Sequence, residues 1–215
     1  MVTVALDLEP ERAARYIGRA KPSHPSLVDQ AHRMDELFGV VNVPSGLWID
    51  EEGMIVRPPE PAFPEGSVNT LQEYPPLPEG LPPYTEATLR EARKIRTEPG
   101  RYVAALRDWV SLGRGSEFAL TPEEVVAQSR PRPPEAGLAA AHFELAQHLQ
   151  RSGDGDGAVG HFRAAHRLQP ENWTYKRQAW SLQRRDQGPT DVYDGDWVSD
   201  VLKIGPENYY EPLQM

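Results

Sequence analysis

Apolar positions change their spacing several times along the chain, and each change predicts an element. Val2 to Leu6 (VTVAL) is a β-branched apolar run and reads as a strand. Ala13, Tyr16, Ile17 and Ala20 then recur at helical spacing, which predicts a helix over 9–20 that Lys21-Pro22 breaks. Ser26 to Asp29 is a brief extended piece. Ala31, Met34, Leu37 and Phe38 predict a second helix over 30–38, with Gly39 at its C-cap. Leu47 to Asp50 and Met54 to Arg57 flank Glu51-Glu52-Gly53, which is the pattern of a β-hairpin. Beyond residue 84 the period is helical. Helices are expected from Thr85 to Arg96, from Pro99 through Val110, after the capping box Thr121-Pro122-Glu123-Glu124, from Glu135 to Arg151, from Gly155 to Leu168 and from Pro170 to Arg184. Pro131 to Pro134 interrupts this series. The tail from Gly188 has one short helical stretch, Trp197 to Leu202.

Proline divides this picture. Nine of the 22 prolines fall within 58–83, and each removes a backbone donor and restricts its predecessor. The expected organisation is therefore 1–57, a proline-rich connector over 58–84, a helical region over 85–187 and an irregular tail over 188–215. Charge narrows the partners. Against 23 basic residues stand 32 acidic ones, a net charge of −9, which disfavours nucleic acid and anionic membrane. No apolar run approaches the length of a membrane span, and no basic-then-apolar leader opens the chain, so a cytoplasmic location is expected. There is no cysteine, so the chain holds no disulfide, thiolate ligand or dithiol centre.

The order of features in the first 57 residues resembles the later part of a thioredoxin-like domain of the TlpA/ResA redoxin kind. The matching pieces are a strand ending in Asp7, a helix, HPSLVD (His24 to Asp29), a helix ending in LFGV (Leu37 to Val40), and VNVPSGLWIDEEGMIVRP (Val41 to Pro58). The resemblance implies that Pro44 is the family's cis-proline and that Val43, Pro44 and Ser45 are its substrate-facing loop. It also implies an absence, because the family's first strand and Cys-X-X-Cys helix have no counterpart here. In the family that strand lies between those matching Val2 to Leu6 and Leu47 to Asp50. The expectation is thus unpaired edges at both, and self-association through them.

A second resemblance covers about 139–172. Leu145, Ala146, Leu149, Ala158, Phe162, Ala165 and Pro170 stand at the spacing of a tetratricopeptide repeat, with His142 where an aromatic is usual. The expected fold class is an α/β, partial thioredoxin-like N-terminus followed by an all-α, tetratricopeptide-like C-terminal region. The helical pair is expected to pack on Thr85 to Leu112.

Candidate chemistry is sparse. His24, His32, His142, His148, His161 and His166 form no i, i+4 pair, and Asp154 to Gly157 lacks the later ligands of a calcium loop. Asp7, Asp29, Asp50 and Glu52 are dispersed, and Arg93 to Arg96 (RKIR) is a solvated helix face. No phosphate-loop, nucleophile-elbow or dinucleotide motif occurs. Neither a catalytic residue, nor a metal, nor a cofactor is expected. Trp173, Tyr175 and Trp180 are candidates to line a peptide groove, and packing in a core is the competing role for them. The expected function is a non-catalytic thioredoxin-like and helical-repeat protein that acts through protein or peptide interaction. The alternative is a piece of a thiol–disulfide oxidoreductase whose Cys-X-X-Cys segment lies upstream of Met1.

Overall fold

The computed structural model describes residues 1–64, 74–129 and 132–215. Residues 65–73 of the proline-rich stretch, and the start of the interruption at 130–131, lie outside the described residues. In chain order the elements are β1 (Thr3–Leu6), α1 (Pro10–Ala20), β2 (Ser26–Asp29), α2 (Arg33–Phe38), β3 (Ser45–Ile49), β4 (Ile55–Pro61), α3 (Pro83–Ala92), α4 (Pro99–Leu112), α5 (Pro122–Gln128), α6 (Pro134–Arg151), α7 (Gly155–Leu168), α8 (Trp173–Gln183) and α9 (Trp197–Ile204). The protein is mixed: two small sheets near the N-terminus, then helices.

Contacts group the chain into two compact units, Met1–Val41 with Arg132–Leu182, and Asn42–Pro131 with Gln183–Met215. Each unit joins an early stretch to a late one, whereas the hydrophobic pattern suggested consecutive segments.

In the first unit, β1 and β2 pair in parallel from Thr3↔Ser26 to Leu6↔Asp29. α2 begins three residues later than its pattern suggests. Asp29 causes this, because its carboxylate accepts the N–H of Ala31 at 3.2 Å and of Met34 at 2.9 Å while His32 takes a left-handed φ of 52°. α6 and α7 form an antiparallel hairpin. Ala139, Ala146, Ala158 and Ala165 are buried, and their small side chains let the two helices approach closely. Phe162 packs edge-on to Phe143 with 5.6 Å between ring centroids. Phe143 in turn stacks on Tyr175 at 4.0 Å and meets the His32 ring at 5.1 Å. The hairpin is therefore completed by α8 and by the chain around α2. α3 and α4, expected to support it, belong to the other unit. α8 starts at Trp173 rather than near Pro170, because Asn172 Oδ1 accepts the Tyr175 N–H at 3.1 Å and caps it.

In the second unit, β3 and β4 form an antiparallel hairpin with a register shift on either side of Trp48. Pro58, Pro59 and Pro61 lie within β4, so the start of the expected connector is a strand. A two-stranded sheet leaves one edge of each strand unpaired, where proline's missing donor costs nothing. Ala62 and Phe63 follow into the core beside Trp48, Val56, Tyr102, Ala105 and Leu213. Trp48 stacks on Trp109 of α4 at 5.0 Å. Gly46 is required where α4 meets the hairpin, since a Cβ there would stand 2.5 Å from the Tyr102 hydroxyl. The capping box of α5 forms as its motif indicates: Thr121 N–H donates to Glu124 at 2.8 Å, and Glu124 N–H donates back at 3.3 Å. α3 has no such cap and runs from Pro83 to Ala92 instead of from Thr85 to Arg96. The tail is no loose end, because Tyr193, Trp197, Val201, Tyr209 and Leu213 are all buried.

Arg57 of β4 is the second unit's buried cation. Its Nε donates to Glu60 at 2.6 Å, Nη1 to the Phe118 carbonyl at 2.8 Å and Nη2 to the Gln214 carbonyl at 3.1 Å. The planar guanidinium alone reaches three directions at once. Arg57→Lys is expected to cost about 1–3 kcal/mol, because a single ammonium leaves a buried acceptor unsatisfied. Urea denaturation at neutral pH checks this, and an unchanged midpoint would contradict it.

Candidate functional site

The residues singled out from sequence do not form an open site. Trp173, Tyr175 and Trp180 are exposed by only 6, 3 and 1%. Trp180 meets Trp173 and His166 edge-on at 6.5 and 6.3 Å. These rings fill the interior of the first unit and offer no face to a peptide. That corrects the groove reading: a stripe of large apolar rings on a short helix gains most free energy by leaving water.

The Val43–Pro44 peptide is cis, and Pro44 is exposed. The backbone around it is already engaged inside the second unit. The Val43 carbonyl accepts the Tyr210 hydroxyl at 3.0 Å, and the Pro44 carbonyl accepts the Ala62 N–H at 3.1 Å. The Val43 N–H donates to Asn42 Oδ1 at 2.9 Å, and the Ser45 hydroxyl donates to the Glu60 carbonyl at 3.3 Å. β1 pairs with β2 and β3 with β4 in two separate two-stranded sheets, so among the described residues one edge of β1 and one edge of β3 have no strand beside them, as expected.

A shallow depression of about 300 Å³ lies beside the hairpin turn of the second unit, between Asp50, Glu52, Trp109, Val110 and Arg114. Its arginine is paired with two of its carboxylates. Arg114 Nη2 donates to Asp50 at 2.7 Å and to Glu52 at 3.2 Å. The Met54 N–H foremost, and then Arg114, hold the Asp50 carboxyl below the usual carboxylate range.

The most unusual chemistry is interior, in the first unit. Asp35 of α2 is buried with Thr174, Asn172 and Tyr175 around α8. The Thr174 hydroxyl lies within hydrogen-bonding reach of both Asp35 Oδ2 and Asn172 Oδ1, the latter at 2.5 Å. A threonine has one hydroxyl proton. Asn172 Oδ1 receives the backbone N–H of Tyr175, which fixes it as an oxygen and hence as an acceptor only. The Thr174 proton is shared between the two acceptors. Asp35 accepts the Thr174 hydroxyl at Oδ2, which favours its charged form, yet burial outweighs this. Burial, the largest cause, pushes its carboxyl up to about 8, with the Asp29 charge adding to the effect. Its Oδ1 has no hydrogen-bond partner, which a neutral carbonyl oxygen tolerates far better than a carboxylate does. Burial and Asp35 together also raise the Tyr175 phenol.

His32 stands one turn away in sequence and behaves oppositely. Burial lowers it to about 4. Its Nδ1 accepts from Gln147 Nε2 of α6 at 2.8 Å, which requires a neutral ring. The site is thus a neutral acid and a neutral base in one interior, each held by a partner far along the chain. Sequence reading missed both, because Asp35 and Thr174 are 139 positions apart. The one available signal was an acid and a histidine three positions apart at the start of an apolar helix.

α6 and α7 also bring two of the dispersed histidines together, His142 and His161. The sequence carried a hint of this, since the two lie on the two helices on either side of the turn at Ser152 to Asp154. Among the described residues no group of three or more His, Cys, Asp or Glu side chains is placed to hold a metal ion, and no helix is long and apolar enough to cross a membrane. No family model matches the chain, and no curated protein and no solved structure matches it either.

Proposed function

We propose that the chain is a non-catalytic interaction protein, with a thioredoxin-like N-terminal part and a tetratricopeptide-like helical pair, and that it binds a protein or peptide along α6. The observation that carries this reading is the outward face of α6. Leu138 and Leu145 are 51% and 41% exposed, and Ala141 between them is exposed too. These positions are i, i+3 and i+7, one face of the helix. The opposite face is fixed against α7 by buried alanines, so the apolar stripe stands on a stiff support. A peptide with apolar anchors gains by covering it, whereas water does not. The zero cysteine count supports the non-catalytic part, since disulfide exchange requires a thiolate.

A random peptide library displayed on phage tests the reading. The full chain is expected to enrich peptides whose affinity drops about tenfold or more, roughly 1.4 kcal/mol, in the double variant Leu138→Glu/Leu145→Glu. Both positions face solvent, so the variant keeps its helical circular dichroism. Enriched peptides that bind the double variant equally well, or no enrichment at all, would overturn the assignment of α6.

A further inference from the structure

We propose that a second copy of this chain docks on the open edge of β1, antiparallel and about a two-fold axis at Val4. The two-stranded sheet of the first unit then continues across the axis in the order β2, β1, β1, β2. The backbone carries the proposal. Along a strand, one residue turns its N–H and C=O toward a neighbour and the next turns them away. The Thr3 N–H donates to the Pro25 carbonyl at 3.0 Å, so Thr3 and Ala5 face β2. Val4 and Leu6, and Val2 just ahead of the strand, turn theirs to the opposite edge. Among the described residues no strand and no backbone group pairs with them there. Such an edge gains hydrogen bonds from any strand that fits it.

Three features select a second copy. With the axis at Val4, Val4 falls opposite Val4 and Val2 opposite Leu6. The outward residues stand at every second position, so all of them meet as hydrogen-bonded pairs. Residues 2–6 hold no charge and no proline, so self-pairing sets no like charges opposite each other and lacks no donor.

The ends of the sheet are also complementary in charge. β1 and β2 start at the same end, where exposed Arg19 and Lys21 close α1 and the chain turns toward β2. Both strands finish at the other end, where Asp7 and Asp29 stand and Glu9 and Glu11 open α1. Antiparallel pairing lays the basic end of one copy beside the acidic end of the other, within about two strand spacings, roughly 10 Å. Parallel pairing would set like charges together.

The side chains agree with this. Val4 and Leu27 are register partners and share a face, and Leu27 is 55% exposed. In the joined sheet Leu27 and Val4 of one copy and Val4 and Leu27 of the other form one apolar row.

Sedimentation velocity of the full chain across a dilution series tests the proposal, together with hydrogen exchange followed by nuclear magnetic resonance. The mass is expected to step from one chain to two and no further, because a two-fold contact closes on itself. The Val4 and Leu6 amides are expected to exchange about tenfold or more faster on dilution, while Ala5, bonded to β2, stays protected. Val4→Pro removes a donor that points away from β2, so it spares the β1–β2 ladder and is expected to weaken association about tenfold or more. The double variant Leu138→Glu/Leu145→Glu on α6 leaves association unchanged. A single-chain mass at every concentration would overturn the proposal, and so would growth beyond two chains. Val4 protection that ignores dilution would overturn it by showing that the same chain fills the edge. Undiminished association in Val4→Pro, or its loss in the α6 variant, would place the contact elsewhere. Should Val4→Pro lose its circular dichroism, the exchange pattern of the wild-type chain decides.

Discussion

Asp35→Asn is expected to remove a decline in stability that the wild-type chain shows as pH rises from about 6.5 to about 8. The argument is one of linkage. The folded Asp35 carboxyl titrates near 8, against an ordinary value of 3.8. Between those two values the folded chain holds a proton that the unfolded chain has released. Stability from this group is therefore full at low pH and falls as pH rises, by about 1.36 kcal/mol per unit and about 6 kcal/mol over the whole interval. His32 has the opposite sign. Its folded value is about 4 against 6.5, so its contribution is present above 6.5 and is lost as pH falls toward 4. From about 4 to about 6.5 the two slopes oppose and nearly cancel. Above 6.5 only Asp35 acts, and a loss of about 2 kcal/mol remains.

Asparagine keeps an acceptor for the Thr174 hydroxyl but has no titration. The variant should therefore gain stability from pH 4 to 6.5, through His32, and stay level above that. Urea denaturation of both proteins at pH 5, 6.5 and 8.5 distinguishes the cases. A wild-type chain that is as stable at 8.5 as at 6.5, relative to Asp35→Asn, would mean that Asp35 ionises in the folded state.

This acid shows where sequence reading stops. Elements whose signals are local were legible: the Thr121 and Glu124 capping box, the hairpin turning at Glu51 to Gly53, and the boundaries of α6 and α7. Each depends on residues within a few positions of one another. Boundaries that depend on a side chain answering a backbone group were displaced. Asp29 delays α2 by capturing two N–H groups, and Asn172 delays α8 by capping it. The prolines of β4 misled for a different reason. A missing donor forbids a central strand but not an outer edge, and the chain alone does not say which it will be. The buried pair of Asp35 and His32 was invisible because each is taken out of water beside a hydrogen-bond partner more than a hundred positions away. No local pattern encodes that. The meeting of His142 and His161 lies between these extremes, since it follows from the hairpin once the turn is known.

Phe162→Ala is expected to cost about 3–5 kcal/mol, close to the upper range for a single core truncation. Phe162 is 1% exposed and stands where α6, α7 and α8 converge on Phe143. Two terms add. The ring loses its transfer from water, and the cavity it leaves cannot close. Closure would need the helices to approach further, yet Ala158 and Ala165 beside it, with Ala139 and Ala146 of α6, already leave almost no side chain to give way. Leu145→Ala on the outward face of the same hairpin makes the contrast, with an expected change within about 0.5 kcal/mol. Urea denaturation of the two variants side by side is the measurement. A loss under 1 kcal/mol for Phe162→Ala would show that the hairpin repacks around the gap. The stiffness on which both the α6 binding face and the His142–His161 pair depend would then be absent. A large loss for Leu145→Ala would show that its side chain is buried in solution and that the exposed stripe does not exist. The expected pattern, a costly inner ring and a silent outer leucine, is what a helix built to display one face and anchor the other must give.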